Sequence, residues 1–383
     1  MAPAIAVAIV LGDIDLLREI LIRVHSPADL VRAAATCKPF LRAAADRPLL
    51  RRFRRLHPLA CPRVLGCLVV ATGRRRGTPP LFLSASASAS PAAGPRGDFA
   101  LSFLPGGGWL GGASWQFVDC RNGLILLRNL SSRDLAVADP MARSCVALPP
   151  APAERTVGYG LVADEDDSSV FLVVCVSRDA VSRELRALVL SSGELTWADV
   201  AGLPDQPTLV TSRAMQANRS LYWKLAGGER MVAFSTATMG FSVLNLPPSL
   251  RQRRFEFVEK GEEDGNVLHL LTMTDFCIEL WAGMADDASD NGMTWRQVDK
   301  SVRFQKALAT MVKPAVLLHR QELVLAAVRA GVAFVQLKDQ LFSIDLETMK
   351  LQMLSKLDCS SVLIYPYTIA WPPSFLTAAG QGM

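Results

Sequence analysis

Between Asp13 and Leu56 the apolar positions recur at helical spacing. Leu17, Ile20, Leu21 and Val24 fall at i, i+3, i+4 and i+7, with Arg18, Glu19 and Arg23 on the opposite side, which predicts an amphipathic helix. The pattern breaks at His25-Ser26-Pro27, where a second helix announces itself. Ser26 can cap, Pro27 suits the first turn, and Asp29 completes a Ser-x-x-Asp capping box. Leu30, Ala33, Ala34 and Cys37 make its apolar stripe. Pro39 ends that helix or begins the next, and residues 40–45 read as a short helix. A further segment follows Asp46-Arg47-Pro48, with Leu49, Leu50, Phe53 and Leu56 on one face and arginines on the other. A helical bundle that packs only on its own chain accounts for this periodicity as well.

Past residue 100 the helical period disappears. Short runs of Val, Leu, Ile and aromatics alternate with Gly, Asn, Asp and Pro, an all-β signature. A hairpin pattern recurs: 135–143, 188–197, 231–241 and 341–349 are each an apolar strand, a polar turn and a second strand. A fifth candidate pairs 278–281 with 293–298, and its Thr294-Trp295-x-x-Val298 repeats Thr196-Trp197-x-x-Val200. Leu-Pro follows three of them, at Leu148, Leu203 and Leu246. Segments 122–127, 219–223 and 265–270 read as inner strands upstream of the hairpins. The recurrence at roughly 50 residues fits propeller blades. The expected fold is therefore α+β overall: a small N-terminal three-helix module at 10–57, then an all-β domain at 58–383, a degenerate β-propeller of about six blades. A pair of β-sandwiches is the alternative. The strand near 362–367 is expected to close the ring, and the Ser-Ala-rich stretch 84–97 reads as a low-complexity loop inside the β domain.

Composition narrows the class. Of 383 residues half are apolar and a fifth charged, as in globular chains, and the net charge of +5 is a mild bias. No stretch approaches the roughly 20 uninterrupted apolar residues of a membrane span, and the apolar start of the chain lacks a basic leader, so neither membrane nor secretion is expected. The eight cysteines include no CxxC pair, which suggests reduced thiols in the cytoplasm or nucleus.

The stretch from Leu11 to about His57 resembles an F-box of the plant type. Leu11 stands at the opening leucine, Leu16, Leu17, Ile20, Leu21 and Val24 at first-helix positions, Leu30 and Val31 at the second, and Cys37-Lys38 at the final motif. Gly12 replaces the usual proline, Pro39 falls where the pattern is not proline, and Phe40 replaces the tryptophan. The β region, including Tyr365 to Pro373, is similar to the F-box-associated domain of grass F-box proteins. The resemblance implies that Leu11, Leu16, Leu17, Ile20, Leu21, Val24, Leu30, Val31, Cys37 and Phe40 bind a Skp-family adaptor, and through it a cullin-RING ligase. It also implies a protein target on the β domain. The function so implied is substrate receptor of an SCF-type ubiquitin ligase. A propeller interaction scaffold unconnected with ubiquitination is the alternative.

Chemistry of the chain's own is not expected. Gly106 to Gly111 matches GxGxxG, but no amphipathic helix follows to receive a pyrophosphate. Asp287 to Gly292 imitates the front of a calcium loop, yet Val298 stands where a bidentate Glu is required. The acidic runs 164–167 and 262–264 read as solvated loops. The sequence has no Walker A, HExxH or G-x-S-x-G, and only four histidines. No cofactor, metal or catalytic residue is therefore assigned. The arginines at 51–55 and 74–76 read as a helix face and a nearby cluster, and no nucleic-acid partner is expected.

Overall fold

The computed structural model describes residues 12–57, 64–72, 78–85, 97–106, 108–109, 115–164, 167, 169–210, 213–258, 267–285, 293–311, 323–357, 362–368 and 376. Four short helices come first: α1 (Ile14–Leu21), α2 (Pro27–Ala34), α3 (Lys38–Ala44) and α4 (Arg47–Leu56). The Asp13 carboxylate caps α1 by accepting the backbone N–H groups of Asp15 and Leu16, both at 3.0 Å. Ser26 caps α2, accepting the Asp29 N–H at 3.2 Å and donating its hydroxyl to the Asp29 carboxylate at 2.7 Å. Asp46 caps α4 through Leu49 N–H at 3.1 Å and takes Arg18 of α1 at 2.9 Å, so one carboxylate both starts a helix and ties two together.

Among the described residues the module has four helices, one in each of the four segments read from the spacing and one more than the three-helix module expected. Pro39 sits in the first turn of α3 and Pro48 in that of α4, so each proline opens a helix of its own. Leu56, expected on the buried face, is 56% exposed.

The remaining strands form six sheets. The first two strands, β1 (Val64–Ala71) and β2 (Leu81–Ser84), wait for the last. Blade one is β3 (Trp115–Arg121), β4 (Leu124–Asn129), β5 (Leu135–Asp139) and β6 (Ser144–Leu148). Blade two is β7 (Thr156–Ala163), β8 (Phe171–Arg178), β9 (Leu185–Ser191) and β10 (Trp197–Leu203). Blade three is β11 (Met215–Ala217), β12 (Ser220–Lys224), β13 (Arg230–Ser235) and β14 (Gly240–Asn245). Blade four is β15 (Phe255–Val258), β16 (Val267–Thr274), β17 (Cys277–Ala285) and β18 (Met293–Arg303). A helix, α5 (Gln305–Met311), precedes blade five: β19 (Leu323–Arg329), β20 (Val332–Leu337), β21 (Gln340–Asp345) and β22 (Leu351–Lys356). The last strand, β23 (Val362–Thr368), pairs antiparallel with β1, from Val64 opposite Thr368 to Ala71 opposite Val362. It thus completes the sixth blade and closes the ring. The innermost strands β3, β7, β11, β15, β19 and β23 line the centre in sequence, and Tyr159 and Arg213 meet there in a parallel bridge. The fold is a six-bladed β-propeller, not a pair of sandwiches.

The unbroken apolar runs follow from this geometry, because successive side chains of a strand point to opposite faces and in a propeller both faces are covered. Along β4, Ile125 and Leu127 join a core with Leu68, Tyr365 and Tyr367 of blade six. Leu124 and Leu126 join another with Tyr159, Leu161 and Val173 of blade two. The alternation repeats around the ring. Trp223 and Phe234 pack on blade two, whereas Tyr222 and Ala233 pack on blade four. Further cores join blade four to five, through Ile278 and Phe342, and five to six, through Phe334 and Ile364. Contact between blades is close enough to require glycine: a Cβ on Gly160 of β7 would lie 2.6 Å from Leu221 Cδ1.

Two sequence repeats acquire structural meanings. Polar turns within the hairpins share one chemistry, in which an Asp or Ser accepts the N–H groups two or three residues on and the fourth residue takes positive φ. Asp139 with Arg143 (φ 53°) and Asp345 with Met349 (φ 54°) are examples. The second repeat is a latch between blades. Trp197 Nε1 donates to the Pro149 carbonyl at 3.1 Å, and Trp295 Nε1 donates to the Asn245 carbonyl at 2.9 Å. The recurring Thr-Trp therefore grips the preceding blade beside its Leu-Pro. The segments expected as inner strands are in fact second strands: β4, β12 and β16 lie one place out from the centre.

Candidate docking surfaces

The helical module divides its apolar positions between itself and solvent. Leu17 and Leu21 of α1 and Leu30 of α2 are buried in one core with Ala43, Ala44, Leu49, Leu50 and Phe53. Val24, Val31 and Phe40 pack on the edge of that core. Cys37 is half-buried at the start of α3, and Leu11 lies outside the described residues. Leu16 and Ile20 are about 40% exposed, as is Ile14 on the same helix. Ile14 was not among the expected contacts, although it too is an apolar residue of α1. Sequence spacing merges the row that faces the module's own core with the row that faces outward. Coordinates separate them.

The module meets the propeller at the end where the innermost strands finish. Arg47 Nη2 of α4 lies 3.4 Å from an Asp167 carboxylate oxygen in the β7–β8 turn. At that end Arg121, Gln216, Glu256, Phe257, Val258, Val328, Arg329 and Ala330 line a small cleft between the inner strands. No sequence motif flags this convergence; the signal is a charge inside two of the inner strands, in Asp119-Cys120-Arg121 and Phe255-Glu256-Phe257.

These polar groups bind strand to strand. Asp119, buried, accepts the Leu161 N–H of the next blade at 3.0 Å. Arg121 donates to the Ala214 carbonyl at 3.2 Å, and Arg329 to the Asn122 side-chain oxygen at 3.2 Å. Arg213 is paired with Glu256, donates to the Ile364 carbonyl at 3.0 Å, and stands over the Tyr365 ring. Burial opposes the Arg213 charge, and Glu256, Tyr365 and Asp119 together more than offset this, so the guanidinium stays charged. The result is a polar lock across several blades.

The opposite face carries the connections between blades and the turns between second and third strands. Leu130, Val181, Val210 and Leu363 are exposed there, Val181 by 93%. Gln206 N–H donates to the Arg183 carbonyl at 3.2 Å, and Arg178 Nε to the Gln206 carbonyl at 3.2 Å, which places the Val181 turn beside the loop that leads to Val210.

Burial pushes the Cys175 thiol up to about 11 and the Cys120 thiol up to about 12, so neither is a thiolate at neutral pH. Among the described residues no group of His, Cys, Asp and Glu is arranged to hold a metal ion. The glycine-rich segment leads into β3, a strand. Residues 262–264, 287–292 and 74–76 lie outside the described residues, as does most of the 84–97 stretch. No described helix is long and apolar enough to cross a membrane.

Residues 116–375 match the family model for the F-box protein AT5G49610-like β-propeller. The chain belongs to that family. The match begins within β3, and α1 to α4 lie before it. No curated protein matches the chain. Solved structures similar to this F-box-family propeller include a nidogen/laminin complex, 9% identical, covering 78% of this chain and 97% of that one at a TM-score of 0.42. The WD40 domain of SCAP from fission yeast is 11% identical, over 63% and 56% of the two chains, with a TM-score of 0.34. YCF48 bound to D1 peptide is 9% identical, over 67% and 78%, with a TM-score of 0.34.

Proposed function

We propose that this F-box-family protein is the substrate receptor of an SCF-type cullin-RING ubiquitin ligase in the cytoplasm or nucleus. In this reading the helical module docks a Skp-family adaptor and the propeller holds a protein target. The observation that carries it is the exposed apolar pair Leu16 and Ile20, one turn apart on a helix whose other side already fills its own core, joined to a propeller of an F-box protein family. Burying what each of these two side chains still exposes contributes roughly 1–2 kcal/mol, as anchors of a helix-in-groove contact. Leu17, Leu21 and Leu30 then support the site from beneath.

The target face is the one away from the helices, where Leu130, Val181, Val210 and Leu363 are exposed. The receptor needs no chemistry of its own, because holding a target beside a charged conjugating enzyme raises its effective concentration. Co-purification tests the reading. The intact chain is expected to capture a Skp-family adaptor, and Leu16→Asp with Ile20→Asp to abolish capture at unchanged helix content by circular dichroism. A chain that folds and captures no adaptor would leave the scaffold reading in its place.

A further inference from the structure

We infer that Leu376 is an integral part of the helical module, the positioning residue that completes the core beneath the docking row. For its binding readout alone this rests on the docking reading above. Leu376 is fully buried, and the residues that bury it belong to the other end of the chain: it shares one cluster with Leu17, Leu21, Leu30, Leu50 and Phe53. The chain path allows this directly. β23 finishes at Thr368, opposite Val64, on the propeller face that α4 contacts through Arg47 and Asp167. Seven residues lie between Thr368 and Leu376, a reach of up to about 28 Å in an extended chain.

The energetics give the residue its role. A helical unit of this size buries too little surface to be robust alone, so one additional large apolar side chain is a substantial share of its core. Leu17 and Leu21 lie in that core while Leu16 and Ile20 of the same short helix face outward. Loss of the Leu376 side chain from below therefore loosens the helix that presents the row above. The core of the module is thus filled from two distant parts of the sequence, α1 to α4 and Leu376, and the orientation of the docking row depends on both.

Hydrogen exchange followed by mass spectrometry on the full-length chain tests this, with Leu376→Asp, Leu376→Ala and Leu376→Met. Amides of 14–21 and 38–44 in Leu376→Asp are expected to exchange at least about tenfold faster, with the strands unchanged. Leu376→Ala should fall between, and Leu376→Met should return to the wild-type rates because it refills the site. Helix amides that exchange at wild-type rates in Leu376→Asp would overturn the inference. So would a variant in which the strands lose protection together with the helices, since Leu376 would then belong to the propeller's cooperative unit. Adaptor capture is read in parallel: a wild-type chain that captures none sinks the docking reading, while the exchange result still decides the role of Leu376.

Discussion

The propeller and the helical module treat apolar side chains in opposite ways. Every blade has neighbours on both faces, so alternate residues of β4 enter two different cores and nothing apolar on that strand is left for a partner. The α1 helix has a neighbour on one side only, and its apolar stripe is split between Leu17 and Leu21 inside and Leu16 and Ile20 outside. Buried hydrophobic surface in the first region means self-assembly of the ring. The surplus in the second is the surface that the proposed docking would remove from water.

The comparison is most strongly challenged within the ring. Trp223 is fully buried between blades two and three, and Trp223→Ala is expected to destabilise the propeller by about 3–5 kcal/mol in urea denaturation. Next comes Leu21→Ala, at about 2–4 kcal/mol and confined to the helices. Hydrogen exchange should show the strands unaffected, and equal loss in both regions would mean that the two cores are one.

A smaller effect belongs to the turns. Asp345 accepts the Thr348 backbone N–H at 2.8 Å, its hydroxyl at 2.9 Å and the Glu347 N–H at 3.1 Å. The Thr348 N–H, above the opposing effect of burial, holds the Asp345 carboxyl below its ordinary value. A depressed carboxyl stabilises the fold above its unfolded pKa, and that share is lost as pH falls through the folded one, so stability should decline below about pH 4. Asp345→Asn should cost about 1 kcal/mol at neutral pH and flatten this decline in pH-dependent melting. The smallest expected change is Ile20→Ala, within about 0.5 kcal/mol in stability but with a marked loss of adaptor capture. That dissociation of binding from stability is what sets Ile20 apart from Leu21.

How much of this was legible in the sequence follows the same division. The five outer hairpins were readable because a polar turn between two apolar runs is a local signal, and Asp139 and Asp345 carry it in one residue each. Of the innermost strands β23 was read, near 362–367, but the others were not, because they line a channel: Asp119, Arg121 and Glu256 interrupt their apolar pattern, and β11 is only three residues long. Second strands such as β4 therefore stood out as inner ones. In the helices, spacing located the stripe on α1 but could not divide it, since Leu17 and Ile20 look alike until the neighbours of each are known. Leu376 carried no signal at all, being a single residue placed by a long-range contact.

The central claim is that α1 holds a docking row distinct from its core, and affinity capture tests it directly. Purified full-length chain and its Ile20→Asp variant are each passed over an immobilised Skp-family adaptor, after their melting temperatures have been matched. The account predicts that the wild type is retained and the variant is not, at the same melting temperature. Equal retention of the two, or no retention of either, would contradict it.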